Sequence, residues 1–186
     1  MKTPVDFLEG RVYTTGARIY GGLHPLSGVS VADHMNRSDR AVLPMTDAIM
    51  YQRGLNHPPE PQAMLASVPF VAIPKTRVLW ILGGYYTPRE TGEVSDKEFV
   101  AFFEDHFLRG NLRLRKGLRV SDFINNMSHE KPFQRLHDVT LFRYTPGKGL
   151  ASAEALERFE IVTFNLNTVI ATSDLEKLMP PVGRRT

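Results

Sequence analysis

Short apolar runs, separated by glycine, proline and small polar residues, recur along the whole chain. Several runs alternate apolar with polar positions, which is typical of strands that bury one face of a sheet. The long amphipathic helices that connect the strands of a parallel α/β sheet are not indicated. The pattern therefore predicts a mostly β protein made of short antiparallel strands.

The turn residues between the runs set approximate bounds for the strands. In the first half of the chain we predict strands over residues 7–14, 17–20, 41–52, 67–73 and 77–82. In the second half we predict strands over residues 107–116, 133–144, 158–165 and 168–172. The strands 67–73 and 77–82 are expected to form a hairpin around Pro74, Lys75 and Thr76, and their apolar residues are the best core candidates.

Helical signals are short. Ser30 is a candidate N-cap for one helical turn over residues 29–36, because its hydroxyl would satisfy a free backbone donor. A similar turn is predicted over residues 121–126. The segment Ser95-Asp96-Lys97-Glu98 has the form of a capping box, which predicts a short amphipathic helix running to about His106.

A helical turn followed by a strand that contains an aspartate occurs twice. Val31-Ala32-Asp33-His34-Met35-Asn36 precedes Asp47, and Val120-Ser121-Asp122-Phe123-Ile124-Asn125 precedes Asp138. The turn aspartates are offset by 122 − 33 = 89 positions and the strand aspartates by 138 − 47 = 91. The second offset continues through the following strands, so we interpret the chain as a tandem duplication. The alternative is that two β-rich segments share alternation and turn residues by coincidence.

The duplication predicts two small domains, each with four or five antiparallel strands in a barrel or sandwich and a short capping helix. We expect the first copy over residues 5–84, a linker with a short helix over 85–104, and the second copy over 105–180. Upstream of the turns, Phe7 aligns with Phe107 at an offset of 100. That alignment predicts an insertion of 100 − 89 = 11 residues in the first copy, between Gly16 and Pro25.

The segment Arg119-Val120-Ser121-Asp122-Phe123-Ile124-Asn125, followed by Leu136-x-Asp138-Val139, resembles a small bacterial domain of unassigned function. The signature of that domain is Arg-Leu-Ser-Asp-Phe-Leu-Asn, then Leu-x-Asp-Ala or Leu-x-Asp-Val. The first half keeps its skeleton, with Ala32 in place of the serine. Asp33-His34-Met35-Asn36 is also similar to the Asp-x-x-Met-Asn segment of Sm-like RNA-binding proteins, with one residue fewer. These resemblances imply a small Sm-like or SH3-like barrel for each copy and assign no catalytic residue.

Composition narrows the function classes. The chain has 23 Lys and Arg residues and 20 Asp and Glu residues, which gives a formal net charge of +3. This small positive charge permits nucleic acid or an anionic surface as a partner but does not require either. The chain has no cysteine, which excludes disulfides, thiolate chemistry and cysteine-based zinc sites. No apolar run is long enough to span a membrane, and the N-terminus lacks the apolar region of a secretory signal. We therefore expect a cytoplasmic protein.

The sequence indicates no catalytic, phosphate-binding or metal-binding motif, so we predict no cofactor and no metal. Asp47 and Asp138 would form a carboxylate pair if the pseudo-symmetry brought them together. The alternative, which we favour, is that these two residues fix turns through hydrogen bonds to nearby backbone, as do Asp33, Asn36, Asp122 and Asn125.

One stretch of eleven residues is rich in basic side chains and has no acidic residue: Arg109, Arg113, Arg115, Lys116 and Arg119. In a strand, Arg113 and Arg115 share the face opposite Leu112 and Leu114. Such a row would neutralise phosphates and bind nucleic acid in a salt-sensitive manner. The alternative is an exposed strand face whose charges keep it soluble and oppose edge pairing.

The leading hypothesis is a non-enzymatic binding or scaffold protein, whose exposed edges or loops engage a protein partner or a second copy of the chain. The first alternative is a protein that binds RNA or single-stranded DNA through residues 109–119. The second alternative is an enzyme with a site between the copies that includes Asp47 and Asp138.

Overall fold

The computed structural model describes residues 8–24, 29–83, 93–144, 152–169 and 171–173. Across these residues the chain forms ten strands and two α-helices: β1 Leu8–Thr14, β2 Ala17–Leu23, α1 Val31–Asn36, β3 Val42–Gln52, β4 Met64–Pro74, β5 Val78–Leu82, β6 Val94–Phe102, β7 His106–Arg115, α2 Val120–Glu130, β8 Phe133–Arg143, β9 Glu154–Asn165 and β10 Ala171–Ser173. The predicted mostly β class is confirmed. Neither helix in these residues is long and apolar enough to cross a membrane.

All ten strands lie in one open antiparallel sheet, in the order β10-β6-β7-β8-β9-β5-β1-β2-β3-β4. The sheet passes from the first half of the chain to the second where β5 pairs with β9. The hydrogen-bonded strands therefore form one continuous layer, where the sequence predicted two separate barrels. The two buried apolar clusters each draw residues from both halves, so the halves pack as one unit.

The pairing of strands in the first half recurs in the second. The five strands of the first half follow the order β5-β1-β2-β3-β4, and those of the second half follow β10-β6-β7-β8-β9. All nine residue pairs of β3 and β4 recur in β8 and β9 at an offset of 91: Leu43 faces Ile73, and Gln134 faces Phe164. Each strand of the first half thus has a counterpart in the second.

The strands before the helices follow a single offset of 89. Val12 faces Ile19 between β1 and β2, and Ala101 faces Leu108 between β6 and β7. At this offset β7 corresponds to β2, and no insertion between Gly16 and Pro25 is needed. The predicted offset of 100 is therefore wrong, because it passes over β6, for which the local sequence predicts a helix.

The helix predicted after Ser95, within the linker expected over residues 85–104, is strand β6 instead. β6 lies between β10 and β7 in the sheet. Phe99, Val100 and Ala101 are buried there. Aromatic and β-branched residues suit a strand with neighbours on both sides, and this tertiary pairing outweighs the local capping signal.

The hairpin predicted around Pro74 is also wrong. β4 and β5 are connected by a short 3-10 turn, Lys75–Arg77, but they do not pair with each other. Instead β5 lies between β1 and β9, and all five of its side chains are buried. The physical reason is that five consecutive apolar residues suit a strand inside a sheet, where both of its faces are covered.

The two helices correspond in position but not in their surroundings. Ser30 caps α1 as predicted, with its Oγ accepting a hydrogen bond from the Asp33 backbone N at 3.1 Å. At the other end of α1, the Asn36 side chain donates to the Phe133 carbonyl at 2.8 Å and accepts from the Phe133 N–H at 2.9 Å. α1 therefore joins the first half to β8. α2 is longer than the predicted turn and more exposed than α1.

Candidate functional site

The predicted basic residues lie on β7 and on the segment that leads to α2. Leu112 and Leu114 are buried, whereas Arg113 and Arg115 are exposed, so the predicted alternation of β7 is confirmed. Arg109, Lys116 and Arg119 lie along the same stretch, and Arg109 is half-buried.

Strand β6, together with Glu93 just before it, places carboxylates opposite this stretch. Three of the five basic groups form ion pairs with them: Arg109 with Glu98, Arg113 with Asp96 and Lys116 with Glu93. Arg115 and Arg119 have no ion-pair partner within the described part of the chain. Exposed ion pairs of this kind contribute only about 0–1 kcal/mol each, yet they balance the charge of the face. Nucleic-acid binding through this stretch stays a prediction, and the ion pairs do not favour it.

A cleft of about 770 Å³ opens between the halves, with β1, β2 and β3 on one side and β9 on the other. An ion pair crosses it, since Arg11 Nη1 lies 2.9 Å from Glu157 Oε1. Beside this pair, the Tyr20 hydroxyl is 3.3 Å from His57 Nδ1. Asp47 also lines the cleft.

Two charged side chains of the cleft, Arg11 and Glu157, neutralise each other. Burial alone would lower the pKa of Arg11, but the hydrogen bond and the charge of Glu157 outweigh it and raise that pKa. Burial lowers the pKa of His57, and the Arg11 guanidinium adds to the effect. The cleft therefore holds a neutralised pair and an uncharged imidazole at neutral pH.

The structure does not bring Asp47 and Asp138 together in this cleft, because Asp138 is not among its lining residues. Both aspartates are exposed and adopt positive φ, 48° for Asp47 and 51° for Asp138. Each lies in a bulge opposite a glycine, Gly21 for Asp47 and Gly110 for Asp138. Aspartate is enriched at positive φ, so a backbone role accounts for both residues.

A chain of polar groups, buried at Trp80 and His106 and exposed to solvent at Glu104, also joins the halves. Trp80 Nε1 donates to His106 Nε2 at 2.9 Å, so His106 Nδ1 carries the hydrogen that it shares with Asp105 Oδ1 at 2.6 Å. Arg53 then bridges Asp105 at 2.9 Å and Glu104 at 2.8 Å. His106 is 1% exposed and both of its ring nitrogens are engaged. The histidine therefore holds the junction together and is not free to act as a general base.

The stability of the junction should depend on acid pH through Asp105. The hydrogen bond from His106, aided by Arg53, overcomes the effect of burial and lowers the pKa of Asp105 from 3.8 to about 2. A carboxyl group whose pKa is lowered in the folded state stabilises the fold at pH values above its ordinary pKa. This stabilisation is lost as the pH falls from about 4 to about 2. Because the side chain is 45% exposed, solvent screening limits the contribution to about 1 kcal/mol or less.

We expect Asp105→Asn to be less stable than the native chain at pH 6, and the difference in the free energy of unfolding to narrow below pH 4. Urea denaturation followed by circular dichroism at pH 6, 4 and 3 measures this difference. A difference that stays constant over this range would contradict the assignment.

The most exposed apolar surface of the described residues follows strand β4. Met64 is 54% exposed, Leu65 53% and Phe70 57%. Val42, which starts the neighbouring strand β3, is 38% exposed. In the described chain β4 has one hydrogen-bonded neighbour, β3, so its other edge presents free backbone groups. Natural proteins commonly protect such edges, and an uncovered apolar edge indicates a binding surface. The sequence did not indicate this surface, because the local pattern predicts that residues 67–73 form a hairpin with the next strand.

Within the described residues, no three His, Asp or Glu side chains are placed to hold a metal ion. No protein-family model, curated protein or solved structure matches the chain.

Proposed function

We propose that the chain is a non-enzymatic scaffold or assembly protein that binds protein through the free edge of β4, Met64–Pro74. The observation that carries this proposal is the exposed apolar edge, which offers main-chain donors and acceptors together with large side chains. Addition of a strand to such an edge is a common mode of protein recognition: the backbone supplies affinity and alternate side chains supply specificity.

We further propose that the chain arose by tandem duplication of a small Sm-like or SH3-like β unit. The recurring strand order and the constant offsets of 89 and 91 support this origin. A cytoplasmic location suits a chain without cysteine. The non-enzymatic part of the proposal is supported by the polar groups between the halves, since Arg11, Glu157, Asp105 and His106 are each engaged with a neighbour.

A photo-crosslinking amino acid tests the binding surface. We expect benzoylphenylalanine in place of Phe70 to give covalent protein adducts on irradiation of cells that express the full chain. The matched control places the same group at Val94, which is also exposed but lies on β6. If the Phe70 position gives no more adducts than the Val94 position, the edge of β4 is not a binding surface.

A further inference from the structure

We propose that the occupant of the β4 edge is strand β10 of a second copy of this chain, so that chains associate head to tail. This inference rests on the proposed function and names the partner of the same edge. It follows from the way in which the two halves of one chain already meet. Within the chain, the fourth strand of the second half, β9, pairs with the fifth strand of the first half, β5.

The same two kinds of strand are left at the ends of the sheet. β4 is the counterpart of β9, and β10 is the counterpart of β5. In the described chain each of these end strands has a single neighbour, β3 for β4 and β6 for β10. A second chain can therefore repeat between molecules the junction that β5 and β9 form inside one molecule.

The internal junction predicts the register between molecules. Trp80 faces Phe164, and Ile81 faces Thr163. The offset of 91 converts the first pair to Ala171 (80 + 91) and Ile73 (164 − 91). It converts the second pair to Thr172 (81 + 91) and Ala72 (163 − 91). In the associated chains, Ala171 and Thr172 of one molecule face Ile73 and Ala72 of the next.

β9 is buried beside β5, whereas corresponding positions on β4, where the second chain would lie, are exposed. Thr163 and Asn165 of β9 are 5% and 3% exposed beside β5. Their counterparts on β4, Ala72 and Pro74, are exposed. The sequence keeps small and apolar side chains at these exposed positions, which a second chain would cover.

The two hydrogen bonds between the Asn36 side chain and the Phe133 backbone form a clamp. Its counterpart, between Asn125 and Val42, is not formed within the described chain. Asn36 holds both backbone groups of Phe133, which is 3% exposed. The offsets convert Asn36 to Asn125 (36 + 89) and Phe133 to Val42 (133 − 91). Asn125 is exposed on α2, and Val42 is 38% exposed. In the associated chains, the Asn125 amide of one molecule holds the backbone of Val42 in the next.

Pro74 limits how the edge can be used. Lys75 N donates to Ala41 O on the side of β3, so the alternation along β4 directs the backbone groups of Ala72 and Pro74 to the free edge. Because proline has no N–H to donate, Pro74 opposes extension of the pairing beyond the contact predicted at Ala72 and Ile73. The contact is heterologous, with different surfaces from the two molecules, so each chain can bind two neighbours and form a ring or a row.

Engineered disulfides test the register, and the absence of native cysteine keeps the background clean. Directly opposed residues of antiparallel strands are close enough to be bridged. We expect the full chain with Ala72→Cys and Thr172→Cys to form covalent dimers and larger species on mild oxidation. An equal mixture of the two single variants should form only dimers that contain one chain of each kind. The control Ala66→Cys with Thr172→Cys shifts the cysteine by six residues, about 20 Å along the strand, and should not crosslink.

Asn125→Ala tests the clamp without altering the edge. We expect it to weaken self-association by about tenfold in analytical ultracentrifugation, since it leaves backbone groups of Val42 without a partner. Asn126→Ala, at the neighbouring exposed position of α2, should leave self-association unchanged.

The outcomes separate this inference from the proposed function. If the disulfide pair gives no more covalent species than the shifted control, or if Asn125→Ala and Asn126→Ala behave alike, head-to-tail association is overturned. If adducts with other proteins still form at position 70, the edge remains a binding surface and only its assignment to a second copy fails. If the crosslinker at position 70 also gives no adducts, both proposals fall.

Discussion

Replacing Trp80 with alanine is expected to lower the free energy of unfolding by about 3–5 kcal/mol. Trp80 is fully buried on β5, where the two halves meet. Its ring stacks on Tyr13 with 3.6 Å between ring centroids, and its Nε1 donates to His106. Alanine would leave a cavity between the halves and remove the donor of a buried histidine. Since Trp80 is the sole tryptophan, urea denaturation should be followed by circular dichroism rather than by fluorescence.

The variant Trp80→Phe separates packing from hydrogen bonding at this position. It keeps an aromatic ring beside Tyr13 but leaves His106 Nε2 without the indole donor. Leaving a buried polar group unsatisfied destabilises a protein by about 1–3 kcal/mol, so Trp80→Phe should lie between the native chain and Trp80→Ala. If the free energy of unfolding of Trp80→Ala were within 1 kcal/mol of that of the native chain, the junction would not be the main contact between the halves.

Alanine at Gly21 or Gly110 should destabilise the chain by about 1–3 kcal/mol in either case, because the added Cβ would overpack the site. A Cβ at Gly21 would lie 2.7 Å from the Thr46 carbonyl oxygen. A Cβ at Gly110 would lie 2.6 Å from the His137 carbonyl oxygen. The backbone is close here because each glycine faces a bulge that contains an aspartate at positive φ. Thermal and urea denaturation of the two single variants measure both effects.

Gly16→Ala provides the matched control. A Cβ at Gly16 would meet no atom within 4 Å, so this variant should be within about 0.5 kcal/mol of the native chain. Equal losses at Gly21 and Gly110 are expected, since the offset of 89 makes them counterparts. A large loss at one glycine and none at the other would contradict the equivalence of the two bulges.

Local patterns predicted those features whose causes are local. The N-cap at Ser30 and the alternation along Leu112, Arg113 and Leu114 depend on neighbouring residues only. The segment after Ser95 shows the limit of this reasoning, because it has the chemistry of a capping box and yet forms β6. Its hydrogen-bond partners on β10 lie about seventy residues away in sequence, and no local signal reports them.

The candidate surfaces divide in the same way. The basic stretch of β7 could be found from its composition, but the ion pairs of Arg109 and Arg113 with Glu98 and Asp96 could not, since the local pattern predicts a helix for these acids. The apolar edge of β4 was not predicted, because whether a strand is central or at an edge depends on the order of the whole sheet.

By itself, the sequence determined that the chain is mostly β and where many of its strands lie, and it predicted Asp122 and Asp138 as counterparts of Asp33 and Asp47. These features follow from side-chain period and turn chemistry, which act over a few residues. Only the tertiary structure decided that β5 pairs with β9 and that β4 is left at an edge. Strand partners distant in sequence are selected by how well they cover each other's apolar faces and backbone groups, and that choice is made by the assembled sheet.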